Sequence, residues 1–164
     1  MKKNINFQQI DRDKLDLNAN FLEILFNKGS MTAILENYFN NIDIKILKQE
    51  RVVTKNNDYY IYREIIIHND KYDLMHAISY IESDFFKILN ITPDNFLEKE
   101  FLGKLIFDKK INKLNYGLTR SDFECGLIDN RLTRCSNFYS NNKPIIKLYE
   151  SFLSEFFIHN SNVA

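Results

Sequence analysis

Between residues 42 and 82 the chain reads as three strand-length runs separated only by short polar turns, a spacing that suits hairpins and leaves no room for crossover helices. Ile42 to Val53 opens as an alternation, with Ile42, Ile44 and Ile46 on one side and Asp43 and Lys45 on the other. Asn56-Asn57-Asp58 turns the chain into a second run, Tyr59 to His68, and Asn69-Asp70 turns it into a third, Tyr72 to Glu82. A second group follows: Lys113 to Glu124, Leu132 to Ser140 and Ile145 to Leu153, the last two joined at Asn141-Asn142-Lys143-Pro144. Helical periodicity is confined to the spaces outside these groups. Leu15 to Phe26 carries an amphipathic pattern stopped by Asn27-Lys28-Gly29, with Gly29 expected at C′. Ser30 is placed to cap a helix over Met31 to Phe39. Short helical pieces are expected between Ser83 and Glu100, and a further helix over Phe101 to Phe107. This order predicts an α+β fold built on an antiparallel sheet. Neither GxxxxGK[ST] nor GxGxxG occurs, so no phosphate-cradling loop is indicated.

No repeat or Pro/Gly-rich linker divides the 164 residues, so one domain over 1–164 is expected. Lys plus Arg and Asp plus Glu stand at 22 each, which gives no electrostatic footprint for nucleic acid or an anionic membrane. The helix-turn-helix outline of residues 15–39 lacks a basic recognition helix and reads as a packing hairpin. The opening stretch MKKNINFQQIDRDKL resembles neither a signal nor a transit peptide, and no apolar run reaches the ~20 residues of a membrane span, so a soluble monomer used where it is made is expected. Cys125 and Cys135 show no CxxC spacing and are expected as plain thiols of a reducing compartment. His68, His76 and His159 show no metal-ligand spacing; His68 and His76 read as structural or surface residues, and no metal or cofactor is expected. The bias toward Ile, Lys, Asn, Phe and Tyr points to an AT-rich genome.

The chemical signal lies in strand parity. Successive side chains point to opposite faces, so Tyr59, Ile61, Arg63, Ile65 and Ile67 share one face, on which Arg63 is the single charge. In the last run Ile146, Leu148, Glu150 and Phe152 share a face on which Glu150 is the single charge, and Arg134 beside Leu132, Ser136 and Phe138 repeats the pattern more weakly. An ion removed from water costs several kcal/mol unless it is paired. Such groups are kept for an internal partner or for a ligand. An Arg63–Glu150 salt bridge that only locks the core is one reading. The other is an apolar pocket that holds an anion on the planar fork of Arg63, with Glu150 near a hydroxyl or titrating group.

Four segments, in one order from about Leu22 to Phe157, resemble the chorismate pyruvate-lyases. Gly29-Ser30-Met31-Thr32 looks like that family's D-S-M-T helix junction, and Tyr62-Arg63-Glu64-Ile65 is similar to its L-R-E-I strand. Leu102-Gly103-Lys104-Leu105-Ile106-Phe107 is similar to L-G-R-Y-L-F. Ser136, Lys143-Pro144-Ile145-Ile146 and Glu150-Ser151-Phe152-Leu153 follow R-R-S, G-K-P-L-L and E-L-F-L.

The resemblance implies a roughly six-stranded antiparallel sheet with helical flaps enclosing an internal site. It implies that Arg63 holds a ring carboxylate, that Glu150 meets the 4-oxygen, and that Met31 and Leu102 line the pocket. The activity implied is a carbon–oxygen lyase that converts chorismate to 4-hydroxybenzoate, a quinone precursor, with release of pyruvate and no cofactor. The substrate is thus an aromatic or cyclohexadiene carboxylate, with Arg134 placed to help hold its enolpyruvyl carboxylate. The ending Leu153-Ser154-Glu155-Phe156-Phe157 is most like plastid and photosynthetic-bacterial members, which implies a plastid stroma if the chain is plastid-encoded and the cytoplasm otherwise. Two positions depart from the pattern: the family's paired arginines read Arg134-Cys135, and its Gly before Lys-Pro is Asn142. The same fold without catalysis, as an effector-sensing domain for small aromatic acids, is the alternative. A protein in which Arg63 and Glu150 simply pair is a third reading.

Overall fold

The computed structural model describes residues 4–17, 19–54, 58–93, 100–107 and 118–160; the side chains of 118–123, 159 and 160 lie outside the description. One antiparallel sheet organises it. The strands are β1 (Gln8–Gln9), β2 (Asp43–Val53), β3 (Tyr59–His68), β4 (Asp73–Glu82), β5 (Leu118–Ile128), β6 (Arg131–Ser140) and β7 (Lys143–Phe152). Their order across the sheet is β1-β5-β6-β7-β4-β3-β2. Five α-helices are described: α1 (Ala19–Leu25), α2 (Met31–Tyr38), α3 (Ser83–Leu89), α4 (Leu102–Phe107) and α5 (Ser154–Asn160).

The sheet therefore has seven strands where six were expected. The additional one is β1, a two-residue strand with no apolar alternation to announce it. It exists because Gly126 lets the segment lie on the β5 edge: a Cβ at Gly126 would collide with the Gln8 carbonyl and the Phe7 ring. α5 follows the last expected strand, in a stretch for which the sequence pattern indicates no element. Its Phe156 is fully buried against Phe152, with ring centroids 4.9 Å apart, so packing sets this helix more than local pattern does. The start of the expected strand Lys113–Glu124 lies outside the described residues, and β5 continues past it to Ile128.

Local chemistry explains the turns. The β5–β6 connection is Asp129-Asn130, with φ of 49° and 60°, and the β6–β7 connection is Asn141-Asn142, with φ of 50° and 62°. Two consecutive left-handed residues make the hairpin turn whose twist matches the flanking strands, and Asn and Asp enter that region most readily after Gly. Asn142 thus does what glycine would do at the same place. Ser30 caps α2 as expected, its Oγ accepting from the Ala33 amide at 3.3 Å. Gly29 is not the C′ residue of α1. Asn27 makes the junction instead, its Oδ1 accepting from the Gly29 amide at 2.6 Å in an Asx-type turn.

The two faces of the sheet are covered differently. On the inner face Ile61, Ile65, Ile67, Met75, Ala77, Ile81, Ile146, Leu148 and Phe152 pack beneath α1, α2, α4 and α5. On the outer face Tyr60, Tyr62, Tyr80 and Tyr149 cluster with Ile78, Ile128 and Cys135, and Ile5 and Phe7 of the N-terminal segment lie against them. Tyr62 and Tyr80 meet edge to face at 5.4 Å, so flat phenols serve where the inner face has helices. No helix among the described residues is long and apolar enough to cross a membrane.

Candidate functional site

The strand register places the expected charges on the inner face. Ile65, Ala77, Glu150, Arg134 and Cys125 form one row across β3, β4, β7, β6 and β5, and Arg63, Ser79, Leu148 and Ser136 form the next. Arg63 and Glu150 therefore stand two strand spacings apart, roughly 10 Å laterally. The positions between and beside them hold small residues, Ala77, Ser79 and Ser136. Arg63, Arg134 and Glu150 are 1%, 2% and 6% exposed.

The core salt bridge considered from parity, Arg63 with Glu150, is not what forms. Glu150 pairs with Arg134, its directly opposed neighbour, whose Nε donates to Oε2 at 2.5 Å. Arg134 was placed from sequence as a ligand-binding residue only; the structure makes it the internal partner of Glu150. Its Nη1 donates to the Asn27 carbonyl at 2.9 Å, in the junction between α1 and α2. Arg63 is held in a parallel way: its Nη1 donates to the Glu100 carbonyl at 2.9 Å, just before α4. Burial is the main influence on Arg63 and pushes its guanidinium down from 12.5 to about 10, with Glu100 opposing the shift.

Met31 and Leu102 sit in the two covering segments. Met31 begins α2 and is 1% exposed; Leu102 begins α4 and is 6% exposed. Both join the cluster that packs on the inner face. The five residues singled out in the sequence thus meet on one side of the sheet: three from strands, two from its covers. Sequence reading missed the two main-chain carbonyls, Asn27 and Glu100, that orient the arginines. No side-chain pattern marks a backbone acceptor.

Other titratable groups lie elsewhere. On the outer face Glu64 accepts from Tyr62 at 2.6 Å and lies 3.0 Å from His76 Nε2, so His76 belongs to a surface network, as its strand position suggested. Cys125 faces inward and Cys135 outward, and both are free thiols. Burial pushes the Cys135 thiol up to about 11. No group of three or more His, Cys, Asp or Glu side chains suited to a metal occurs among the described residues. A groove of about 730 Å³ opens at the end of the sheet beside the Arg134–Glu150 row, lined by Leu15, Leu17, Arg131, Leu132, Phe152 and Phe157 among others.

Among the described residues the inner face brings Arg63 and the Arg134–Glu150 pair together on an apolar floor. It offers a planar donor fork at Arg63 and a mixed donor–acceptor pair at the opposite end.

No protein-family model matches the chain, and no curated protein matches it in sequence. Solved structures do. Gene product SA0254 from Staphylococcus aureus subsp. aureus N315 aligns with a TM-score of 0.51 and 14% identity over 79% of this chain and 91% of that one. The possible transcriptional regulator YydK from Bacillus subtilis subsp. subtilis str. 168 aligns at 0.49 and 16% identity over 74% of this chain and 60% of that one. The ligand-binding domain of a protein named as a GntR-family transcriptional regulator from Bordetella bronchiseptica aligns at 0.48 and 9% identity, over 71% and 87%. At such identities the likeness is one of fold: the chain shares the architecture of the staphylococcal protein.

Proposed function

We propose that this domain binds a small aromatic carboxylate on its inner face, with Arg63 gripping the ring carboxylate and the Arg134–Glu150 pair meeting a polar group at the far end. The observation that carries the reading is the desolvated Arg63. Its planar guanidinium is 1% exposed on the apolar inner face and presents a donor fork suited to both oxygens of a carboxylate. Ala77, Ser79 and Ser136 are small side chains on the floor between the two ends, with Leu148 as their larger apolar neighbour. The role is retention of an effector without turnover. This matches in kind the name carried by the domain from Bordetella bronchiseptica, and rests on the site of the present chain.

Glu150 favours binding over catalysis. Its Oε2 is already engaged by Arg134, on the adjacent strand and in direct register. A proton-transfer role at an ether oxygen asks for a carboxyl group that exchanges freely with the ligand.

The second reading is a chorismate lyase that releases pyruvate and leaves 4-hydroxybenzoate. One arrangement supports it: Arg63, Glu150, Met31 and Leu102, the residues that resembled that family's site, all join one buried inner face. One experiment separates the readings. The purified protein is incubated with chorismate while pyruvate and 4-hydroxybenzoate are followed by chromatography, and 4-hydroxybenzoate binding is measured by calorimetry. Binding without product release supports the effector domain. Equal release of both products, lost in Glu150→Gln, replaces it with the lyase. Absence of both leaves the three charges as core elements only.

A further inference from the structure

The inner-face site is closed by two pieces of chain that are far apart in sequence. One is the α1–α2 junction with α2 behind it; the other is α4 with the residue pair before it. Each piece is tied to a different buried arginine through a main-chain carbonyl: Asn27 to Arg134 and Glu100 to Arg63. Each tie is a charge-assisted bond in a part-buried setting, so lifting either piece breaks it.

The pieces are also tied to one another. α4 approaches the start of α2 so closely that a Cβ on Gly103 would stand 3.1 Å from both Ser30 Oγ and Thr32 Oγ1. Ser30 is the cap of α2, and Thr32 is buried in its first turn. On the solvent side Lys104 of α4 meets Glu36 of α2 at 2.5 Å, with both side chains about half exposed. Gly103 therefore has a reason to be glycine at the inner contact, and Lys104–Glu36 fastens the outer one.

We infer that these two pieces form a single lid that opens as one unit, with Gly103 and the Lys104–Glu36 pair as positioning residues that couple its halves and set the rate of ligand exchange. The inference rests on the ligand-binding reading of the site for its exchange rate, but not for the joint opening. Arg63 and Arg134 are 1% and 2% exposed, so a ligand that reaches them displaces covering chain, and Glu100 and Asn27 are the covering residues bonded to them. The contact between Gly103 and Ser30–Thr32 makes one movement require the other. None of the coupling residues faces the ring carboxylate, so they act on access and leave the chemistry of binding unchanged.

The test has two readouts. The first is amide hydrogen exchange on the ligand-free protein, compared over Met31–Tyr38 and Leu102–Phe107. Lys104→Met is expected to raise exchange in both stretches by a similar factor, about two- to fivefold, and to leave the sheet unchanged. The charge swap Glu36→Lys with Lys104→Glu is expected to restore the wild-type rates. Gly103→Ala is expected to give the larger effect, about tenfold in both stretches. Faster exchange in Leu102–Phe107 alone overturns the single-lid inference.

The second readout is the dissociation rate of 4-hydroxybenzoate by NMR line shape. It is expected to rise in Lys104→Met with little change in the binding enthalpy and to return in the swap. A dissociation rate indifferent to all three variants, while binding persists, means that ligand passes through the groove beside Leu132 and Phe152, and also overturns the inference. If the protein binds no aromatic acid, the functional reading fails, yet the exchange experiment still decides whether the lid is one unit.

Discussion

The two faces of the sheet bury polarity in opposite ways. The outer face buries phenols whose hydroxyls find partners locally: Tyr62 donates to Glu64, which also meets His76, and the Lys147 ammonium lies 5.3 Å from the centroid of the Tyr149 ring. That network lies near solvent, the Glu64 and His76 side chains being partly exposed. The inner face buries three full charges under helices, and the two arginines lean on backbone carbonyls of the covering segments. Among the described residues the inner face holds Arg63 and the Arg134–Glu150 pair, and this is the face on which the proposed ligand site lies.

The comparison breaks most readily at Arg134. Arg134→Met leaves Glu150 buried without its ion pair and is expected to cost about 3–5 kcal/mol in urea denaturation. Arg63→Met is expected to cost far less, because desolvation already opposes that charge. Equal losses would mean that the two arginines do the same structural work and would remove the distinction drawn between them. Next in size is Gly126→Val, whose side chain displaces Phe7 and Gln8 from the outer edge; a loss of about 1–3 kcal/mol is expected, with inner-face ligand binding retained. Tyr62→Phe, which removes one hydrogen bond to Glu64, is expected to cost about 1 kcal/mol.

Alkaline titration reports on the outer face. Burial pushes Tyr80 up to about 12, and burial together with the Glu64 bond pushes Tyr62 higher still. These phenols stay neutral in the fold while unfolded tyrosines ionise, so stability falls as pH climbs past 10.0. Base-induced unfolding should therefore move to higher pH in Tyr62→Phe/Tyr80→Phe. The smallest effect concerns Cys135. Its thiol, pushed up to about 11, should resist alkylation at pH 8 until the protein unfolds.

Much of this was readable in the chain. Period-two alternation placed Arg63, Glu150 and Arg134 on one face, and the Asn-rich turns fixed which strands are neighbours. The pairing of Arg134 was nearly legible as well. Counting back from the two-residue turn at Asn141-Asn142 sets Ser140 opposite Lys143 and would set Arg134 opposite Tyr149. A bulge between Phe138 and Tyr139 shifts the count by one, and Glu150 becomes the partner. A bulge leaves no dependable mark in sequence, so the alternative pairing with Arg63 stayed open. β1 and the carbonyl ties of Asn27 and Glu100 were invisible for a related reason: they depend on backbone approach, which Gly126 and Gly103 permit but do not announce.

The central claim is that Arg63 makes the inner face a carboxylate site. It is tested most directly by calorimetric titration of wild type and Arg63→Met with 4-hydroxybenzoate and with its uncharged analogue 4-hydroxybenzyl alcohol. The acid is expected to bind wild type at least tenfold more tightly than the alcohol, and that preference is expected to vanish in Arg63→Met while the variant stays folded. An acid preference that survives in Arg63→Met would contradict it and place the anion elsewhere.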